Sequence, residues 1–424
     1  MADRLQFVEN AAQTVPPELQ TQFRRAETVL RAQLGPRLPQ LVIDSDKMVL
    51  RNIVGSFALP NDSVVDVVPK TPVGQDWPQA VVDLLEPTTR LTVAGSRRSE
   101  PTARRALSGA LALEYARRLE SALKADGPIL AYTQIKARDR KLDGKLNVTE
   151  WIRTALLDPA RFPITRDHLT SGNDFARGLS IVAGLLGRVA DNGELSATLH
   201  RLQVAVVPGQ PVPSYVSPHV ALRPLPSQWS KYRPAWDIAA ALLRHRSVIG
   251  DPGRAVGLEV AVEPWPLLET ALTRALKSLE AGGGGWQHVS KSKHRLLSVG
   301  SDTRLNVEPD GLLRRRGQIA ASFECKYTLP GRTPDESHVH QTLTTAAAVS
   351  SPIAVIVYPT DQTVNYYKVS GFDGYPYCLV TMGLSLFEYR RIGGDEKRAK
   401  ALADAIAGAR SNTLPVDDAA NEPD

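Results

Sequence analysis

Residues 307–327 read V-E-P-D-G-L-L-R-R-R-G-Q-I-A-A-S-F-E-C-K-Y, and their pattern indicates how the C-terminal third folds. Two apolar runs are joined by a basic turn that contains glycine, so they are predicted to pair as a β-hairpin that places Asp310 beside the second strand. Residues two apart on a strand share a face, so Glu324 and Lys326 are expected to point one way and Cys325 the other. The sequence therefore predicts two acids and a lysine at one place.

These side chains are the kinds that phosphodiester hydrolysis needs. Asp310 and Glu324 would supply hard oxygen ligands to Mg²⁺ or Mn²⁺, between which the sequence does not decide, and the carbonyl of Cys325 would add a ligand. Lys326 would lower the pKa of the attacking water or stabilise the charge of the transition state. We predict a metal-dependent nuclease, and the alternative is a structural hairpin whose acid-x-Lys triplet is a solvated strand face.

The acid-x-Lys spacing is not specific by itself. Three other pairs have it, namely Asp139–Lys141, Asp143–Lys145 and Asp395–Lys397. They lie in polar or helical context and lack an upstream Pro-Asp strand. The combination of Pro309-Asp310 with Glu324-x-Lys326 singles out the 309–326 segment.

Residues outside the hairpin are further candidates. Glu269, on a helix before the hairpin, is a candidate metal ligand, and Gln341, on the following helix, is a candidate for orienting water or phosphate. The alternative for both is an ordinary solvated surface position. His338 and His340 are disfavoured as ligands because imidazole suits zinc more than magnesium, and residues two apart diverge on a helix.

The surrounding pattern predicts an α/β unit. Strand-like and helical segments alternate here: strands at 305–313, 319–327, 352–359 and 364–371, a helix at about 338–350 and a final helix at 395–410. A helix at 264–281, which ends in four glycines, leads into this unit. The fold class is therefore α/β in a multidomain α+β chain.

The first hundred residues have a different pattern of apolar and polar residues. A helical pattern occupies residues 1 to about 35 and ends at Gly35-Pro36. From 41 to 69, short β-branched runs are separated by Pro, Asn and Asp, which predicts several strands. This part is predicted to be a β-rich domain with a leading helix.

The middle of the chain has a helical texture. Helical patterns are found at 102–126, 147–157, 173–190 and 233–246, and Pro-rich loops join them. We predict a β-rich domain at 1–100, a helical domain at 101–258, a nuclease domain at 259–410 and a disordered tail at 411–424.

Composition narrows the function classes. The chain has 424 residues, 42% hydrophobic and 23% charged, which is globular rather than disordered. Its 51 Lys and Arg against 45 Asp and Glu give a net charge of +6, which mildly favours polyanionic partners. Two cysteines are too few for a disulfide framework, and neither a signal peptide nor a long apolar span is present. The expectation is a cytoplasmic protein with no membrane association.

Basic segments are candidates for phosphate contact. They are Arg104-Arg105, Lys291–Lys293–Arg295 and Arg314–Arg316. Phosphate contacts supply affinity without sequence choice, and the alternative is a solvated face. The triple arginine is the strongest of the three because it links the two strands of the predicted site.

Two absences are informative. The sequence contains no G-x-x-x-x-G-K-[ST] motif, so the chain is not expected to hydrolyse NTP by itself. It also lacks a G-x-S-x-G nucleophile motif, and a Cys325 that points inward does not suit Cys-His catalysis.

The order of these segments resembles the McrC family, the nuclease subunits of modification-dependent restriction systems, which carry a C-terminal PD-(D/E)xK nuclease. The resemblance covers about residues 40–395: Val54-Gly55 with VVDVVPK (64–70), the run from ALEYARRLESALKAD to LNVTEWIR, and LLETALTRAL (267–276), which places Glu269 at the family's glutamate. This chain has Glu324-Cys325-Lys326-Tyr327 where the family often has Asp-Ala-Lys-Tyr, which keeps the carboxylate.

The resemblance implies a division of labour. A separate AAA+ GTPase (McrB-like) would bind modified DNA and translocate, while this chain would cut double-stranded DNA in phage defence and stimulate the partner's NTP hydrolysis. Two alternatives stay open, namely a non-catalytic DNA-binding adaptor that activates the motor, and a motor-independent repair nuclease of the same fold.

Overall fold

The computed structural model describes residues 4–34, 41–44, 47–59, 63–71, 76–85, 91–95, 107–190, 192–244, 258–299, 302–371 and 374–413. The chain forms two compact units. Unit 1 comprises Met1–Ala94, Arg105–Ala110 and Glu259–Asp424, and unit 2 comprises Gly95–Arg104 and Leu111–Leu258. Helices and sheets occur together, so the α/β fold class is confirmed. No described helix is long and apolar enough to cross a bilayer.

The N-terminal part of unit 1 is rich in strands. Its elements are β1 (Arg4–Val8), β2 (Ala12–Thr14), α1 (Pro17–Leu34), β3 (Leu41–Asp44), β4 (Lys47–Leu50), β5 (Val54–Ala58), β6 (Val64–Val68), α2 (Trp77–Leu84) and β7 (Leu91–Gly95). Phe23 of α1 packs against Phe7 and Phe57 at ring distances of 5.5 and 6.4 Å, which fixes the helix on the sheet. The predicted strands between 41 and 69 are confirmed.

The leading segment differs from its prediction. The helix begins only at Pro17, and residues 4–14 hold two strands. β1 pairs in parallel with β6, which lies some 60 residues later in the chain. Because parallel pairing depends on a distant partner, local periodicity did not show it.

A strand from after the middle segment completes the N-terminal sheet. β11 (Leu258–Val262) pairs antiparallel with β5, and the described sheet has the order β1-β6-β5-β11-β7. Gly55 has a φ of 115°, and a Cβ there would collide with the carbonyl oxygen of Val260. Glycine is therefore required at position 55, where β11 pairs closely with β5.

Replacing Gly55 with alanine is expected to destabilise unit 1 by about 2 kcal/mol or more, because it adds backbone strain and a steric clash. This corresponds to a thermal midpoint lower by roughly 5 °C. Gly193→Ala is the matched control, since no atom lies within 4 Å of its Cβ position. Equal midpoints for the two variants in a thermal shift assay would contradict the close approach.

Unit 2 is not purely helical, which corrects the predicted helical domain. Its elements are α3 (Leu107–Asp126, which begins in unit 1), β8 (Ala131–Asp139), β9 (Lys145–Leu146), α4 (Val148–Thr154), β10 (Phe162–Thr170), α5 (Asp174–Val189), α6 (Gly193–Ala205) and α7 (Arg233–Arg244). β8 and β10 pair antiparallel along nine residues each. Residues 102–106 and 245–246 of the predicted helices lie outside the described residues.

The C-terminal part of unit 1 contains the predicted hairpin. Its elements are α8 (Trp265–Ala281), β12 (Trp286–Val289), β13 (His294–Val299), β14 (Asp302–Val307), β15 (Gly311–Arg315), β16 (Gln318–Cys325), α9 (Glu336–Ala348), β17 (Ile353–Tyr358), β18 (Asn365–Lys368), β19 (Cys378–Gly383) and α10 (Gly394–Thr413). α10 includes residues 411–413 of the predicted tail, and residues 414–424 lie outside the described residues. The four-way domain division as a whole stays a prediction.

The site-bearing sheet has the order β12-β15-β16-β17-β19-β18 in its described residues. β15 and β16 pair antiparallel, while β16, β17 and β19 are parallel. β17 is buried along its whole length, as expected for a central parallel strand covered on both faces. α8 packs beside β15 through buried leucines, so Asp310, one residue before β15, lies close to α8.

Candidate active site

The hairpin places Asp310 beside the end of β16. Gly311 pairs with Phe323, so Asp310 lies level with the residues that follow Phe323. Its Oδ2 accepts a hydrogen bond of 2.8 Å from the amide of Cys325. The predicted convergence of Asp310 with Glu324-x-Lys326 is thus present in the structure.

Lys326 joins a second group of side chains. Its Nζ donates to Glu324 Oε1 at 2.9 Å and to Gln341 Oε1 at 2.7 Å. Gln341, on α9, donates from Nε2 to the same Glu324 oxygen at 2.6 Å. Glu324 and Lys326 share a face, as the period of a strand predicts, and their side chains are only 8% and 13% exposed.

A third carboxylate, that of Glu269, is connected to Asp310 by a lysine that contacts both acids. Lys291, in the loop between β12 and β13, donates from Nζ to Glu269 Oε2 at 2.5 Å and to Asp310 Oδ1 at 3.1 Å. Glu269 lies on α8, so three separate elements meet here. The three acids and two lysines, namely Glu269, Lys291, Asp310, Glu324 and Lys326, are called the acid–lysine cluster below.

Charges within the acid–lysine cluster perturb one another. Burial and the charge of Asp310 raise the pKa of both Glu269 and Glu324, against the opposing effect of the neighbouring lysines. Burial opposes the charged form of Lys291, but the hydrogen bond to Glu269 and the two carboxylates raise its pKa. Neighbouring acids with raised pKa values mark a candidate functional site.

The donor set suits a hard divalent ion. Among the described residues, no three His, Cys, Asp or Glu side chains are arranged to enclose a metal. Mg²⁺, however, commonly uses one or two carboxylates and keeps several waters, so a closed cage is not needed. The Lys291 ammonium already lies between two of the carboxylates, which shows that this position accepts positive charge.

The other residues that the sequence analysis considered as ligands are Cys325, His338 and His340. Cys325 is partly buried, and burial raises the pKa of its thiol, which leaves its carbonyl as the atom of interest. His338 lies on α9 with its pKa lowered by burial and by Lys326, and His340 is exposed beside Glu336. Among the described residues, no hydrogen bond or ion pair joins either histidine to Glu269, Asp310 or Glu324.

The triple arginine lies at the opposite end of the hairpin from Asp310. β15 has five residues, so the turn at 316–317 is roughly 16 Å away along the strand. Arg315 stacks on Trp286 at 4.9 Å.

The other three acid-x-Lys pairs make contacts outside the acid–lysine cluster. The pairs at 139–141 and 143–145 contact Arg166 through their aspartates, and Asp395 accepts a hydrogen bond from the hydroxyl of Tyr389.

Sequence reasoning missed the position of Lys291. It had been grouped with Lys293 and Arg295 as a basic segment. Its contact with Glu269 and Asp310 depends on how the loop after β12 turns back over α8, and β12 itself was not predicted. The sequence offers one weak signal for this contact, namely that Lys291 comes before the predicted strand that carries Pro309-Asp310.

The fold and the site together define an α/β protein with a carboxylate–lysine cluster at the end of a β-hairpin. The profile of the family described as "McrBC 5-methylcytosine restriction system component" matches residues 48–359. The chain therefore belongs to this family. The predicted resemblance is confirmed at that level.

The chain is also similar in fold to a solved structure. A chain of the structure described as a refined half-complex from the tetradecameric assembly of Thermococcus gammatolerans McrB AAA+ hexamers with bound McrC matches at a TM-score of 0.63 and 14% identity, covering 95% of this chain and 99% of that chain. A chain of the cryo-EM structure of the Thermococcus gammatolerans McrBC complex matches at 0.46 and 15%, covering 64% and 88%. No curated protein matches the chain.

Proposed function

We propose that this chain is the DNA-cleaving subunit of a modification-dependent restriction system and hydrolyses phosphodiester bonds at the acid–lysine cluster with Mg²⁺ or Mn²⁺. The observation that supports this most is the hairpin contact of Asp310 with the Cys325 amide, which unites Pro-Asp with Glu-x-Lys. In this chain the two parts of the proposed PD-(D/E)xK motif thus lie at the ends of the two adjacent strands of the hairpin. The C-terminal residues 259–410 would form this nuclease domain.

Asp310, Glu324 and the carbonyl of Cys325 would hold the metal, with Glu269 as a further carboxylate. When bound, the ion supplies Lewis acidity and neutralises charge on the phosphate. The Lys326 ammonium, held by Glu324 and Gln341, is positioned to stabilise the developing negative charge or to favour deprotonation of the attacking water. Gln341 orients both partners through its two amide atoms.

The partner is proposed from the comparisons and from the sequence. The similar structure contains McrB AAA+ hexamers with bound McrC, and this chain has no nucleotide-binding P-loop motif. We infer that an AAA+ GTPase recognises modified double-stranded DNA and moves it, while this chain cuts and stimulates NTP hydrolysis. Family membership argues against a motor-independent repair nuclease.

The test is DNA cleavage by the purified chain with its AAA+ partner, NTP and Mg²⁺, on modified and unmodified DNA. Cleavage restricted to modified DNA supports the proposal. Stimulated NTP hydrolysis without any cleavage would replace it with a non-catalytic adaptor role. Omitting the metal or adding EDTA should abolish cleavage while the proteins remain folded.

Lys291 is expected to compete with the metal, because its ammonium contacts two of the proposed carboxylates. Lys291→Met should therefore bind Mn²⁺ about fivefold more tightly, since losing a partly exposed positive charge at this distance is worth about 1 kcal/mol. Isothermal titration of Mn²⁺ measures this without relying on activity.

Lys293→Met is the control for this measurement, as Lys293 is a neighbouring exposed lysine in the same loop. Weaker Mn²⁺ binding by Lys291→Met would contradict competition. It would show instead that Lys291 is needed to hold Glu269 and Asp310 together.

A further inference from the structure

A buried group of polar residues lies immediately beyond Lys326. Glu9 follows β1 and is 1% exposed, and its amide donates to the carbonyl of Val68 at 2.9 Å. Tyr327 donates from its hydroxyl to Glu9 Oε2 at 2.7 Å. Lys70, two residues after β6, donates from Nζ to the Tyr327 carbonyl at 2.7 Å and lies 4.3 Å from the centre of its ring. We call Glu9, Lys70 and Tyr327 the Tyr327 clamp.

The Tyr327 clamp holds the chain at the point where it leaves the sheet. β16 ends at Cys325, and the amide of Lys326 still donates to Val357 of β17 at 2.8 Å. After Lys326 there is no further strand pairing with β17 in the described residues. On the C-terminal side of Lys326, Lys70 holds the main chain at the Tyr327 carbonyl, and Glu9 holds the Tyr327 side chain at its hydroxyl. The amide of Thr328 also donates to the Lys326 carbonyl at 2.8 Å.

The chemistry of the clamp makes its members depend on one another. Burial raises the pKa of Glu9, while the Tyr327 hydrogen bond and the charge of Lys70 oppose this rise. Burial lowers the pKa of Lys70, and the charge of Glu9 opposes that change. Removing one partner would leave the other buried and uncompensated, so the clamp favours a single geometry.

The position of Lys326 is sensitive to that geometry. Its ammonium must reach Glu324 and Gln341 together, at 2.9 and 2.7 Å. A displacement of about 1 Å at a catalytic group can cost on the order of 10²-fold in rate. Tyr327 is bonded directly to Lys326, so a shift of its carbonyl moves the backbone from which the lysine side chain extends.

We propose that Glu9 and Lys70, from the N-terminal β-rich part of unit 1, are positioning residues for Lys326, so that this part is required for the chemical step and not for folding alone. The proposal rests on the nuclease function proposed above. It assigns a role to two residues outside the acid–lysine cluster, which lie 257 positions (Lys70) and 318 positions (Glu9) before Tyr327 in the sequence.

The test is steady-state DNA cleavage by the full chain with its AAA+ partner, NTP and Mg²⁺, comparing Lys70→Met and Tyr327→Phe with wild type. Lys70→Met should lower kcat roughly 10- to 30-fold, with KM for DNA and stimulation of NTP hydrolysis within about twofold of wild type. Tyr327→Phe removes only the hydroxyl and should lower kcat about threefold. Lys70→Arg, which can still donate to the carbonyl, should recover most of the rate.

Lys47→Met is the matched control, since Lys47 is an exposed lysine on β4 of the same part of the chain, and it should cut at the wild-type rate. Wild-type rates for both Lys70→Met and Tyr327→Phe would overturn the positioning role while leaving the nuclease proposal intact. Losses of kcat that match losses of folded protein, without recovery by Lys70→Arg, would also overturn it. If wild type itself cuts no DNA while it stimulates NTP hydrolysis, the nuclease proposal fails and the positioning role fails with it.

Discussion

Asp310→Asn is expected to cut DNA roughly 10³-fold more slowly than wild type, or not at all. The change removes a metal-binding charge, which is worth several kcal/mol in the transition state, and each ~1.4 kcal/mol is tenfold in rate. An asparagine oxygen can still accept the hydrogen bond from the Cys325 amide, so the hairpin should keep its geometry. A loss of activity in this variant would then result from the missing carboxylate charge and not from misfolding.

The measurement is cleavage of modified DNA with the AAA+ partner, NTP and Mg²⁺, together with Mn²⁺ titration of the purified variant. Asp302→Asn, at the exposed start of β14, is the control and should match wild type in both assays. Stimulation of NTP hydrolysis by Asp310→Asn should remain near the wild-type value. Cleavage at more than about a tenth of the wild-type rate would remove Asp310 from the proposed ligands.

Lys326→Met is expected to lower the cleavage rate by about 10²- to 10³-fold while Mn²⁺ binding is retained. Methionine keeps an unbranched apolar side chain as far as Cε but lacks the ammonium that lies between Glu324 and Gln341. Losing one group that stabilises transition-state charge typically costs this much. The two assays therefore separate the roles, because Asp310→Asn should lose both metal binding and cleavage, and Lys326→Met should lose cleavage alone.

The control for this variant is Lys397→Met, which removes a lysine with the same acid-x-Lys spacing on the exposed face of α10. It should leave cleavage unchanged. Near-normal cleavage by Lys326→Met would mean that Glu324-x-Lys326 is a structural feature of the strand. Loss of Mn²⁺ binding in Lys326→Met would instead indicate that the lysine mainly holds Glu324 in place.

The site-bearing hairpin was predictable because its information is local. β15 and β16 are adjacent in sequence and joined by a short turn with Arg316 and Gly317 at positive φ, so pairing follows from the pattern itself. The alternation of side chains then placed Glu324 and Lys326 on one face. Gln341 and Glu269 also lie at the cluster. The helix of Gln341, α9, follows β16 directly, whereas β12, β13 and β14 separate the helix of Glu269, α8, from the hairpin.

Elements with distant partners were predicted poorly. The sequence pattern predicts a helix over β1, because its five residues, RLQFV, contain too little pattern to show that β6 is their neighbour. β8 and β10 lie about 30 residues apart with a helix between them, so their pairing was equally hidden in the sequence. Closing such loops has an entropic cost that only the packed sheet offsets, so the local sequence does not signal it.

The α/β class, the hairpin and the grouping of Asp310 with Glu324 and Lys326 could be predicted from the amino-acid sequence, since short-range pairing and strand periodicity are encoded in neighbouring residues. The position of Lys291 between Glu269 and Asp310, and the contacts of Glu9 and Lys70 with Tyr327, became visible only in the folded chain. These contacts join a loop and an N-terminal sheet to the end of β16. Their geometry is set by packing between residues that are far apart in the sequence, so residue spacing alone does not predict it.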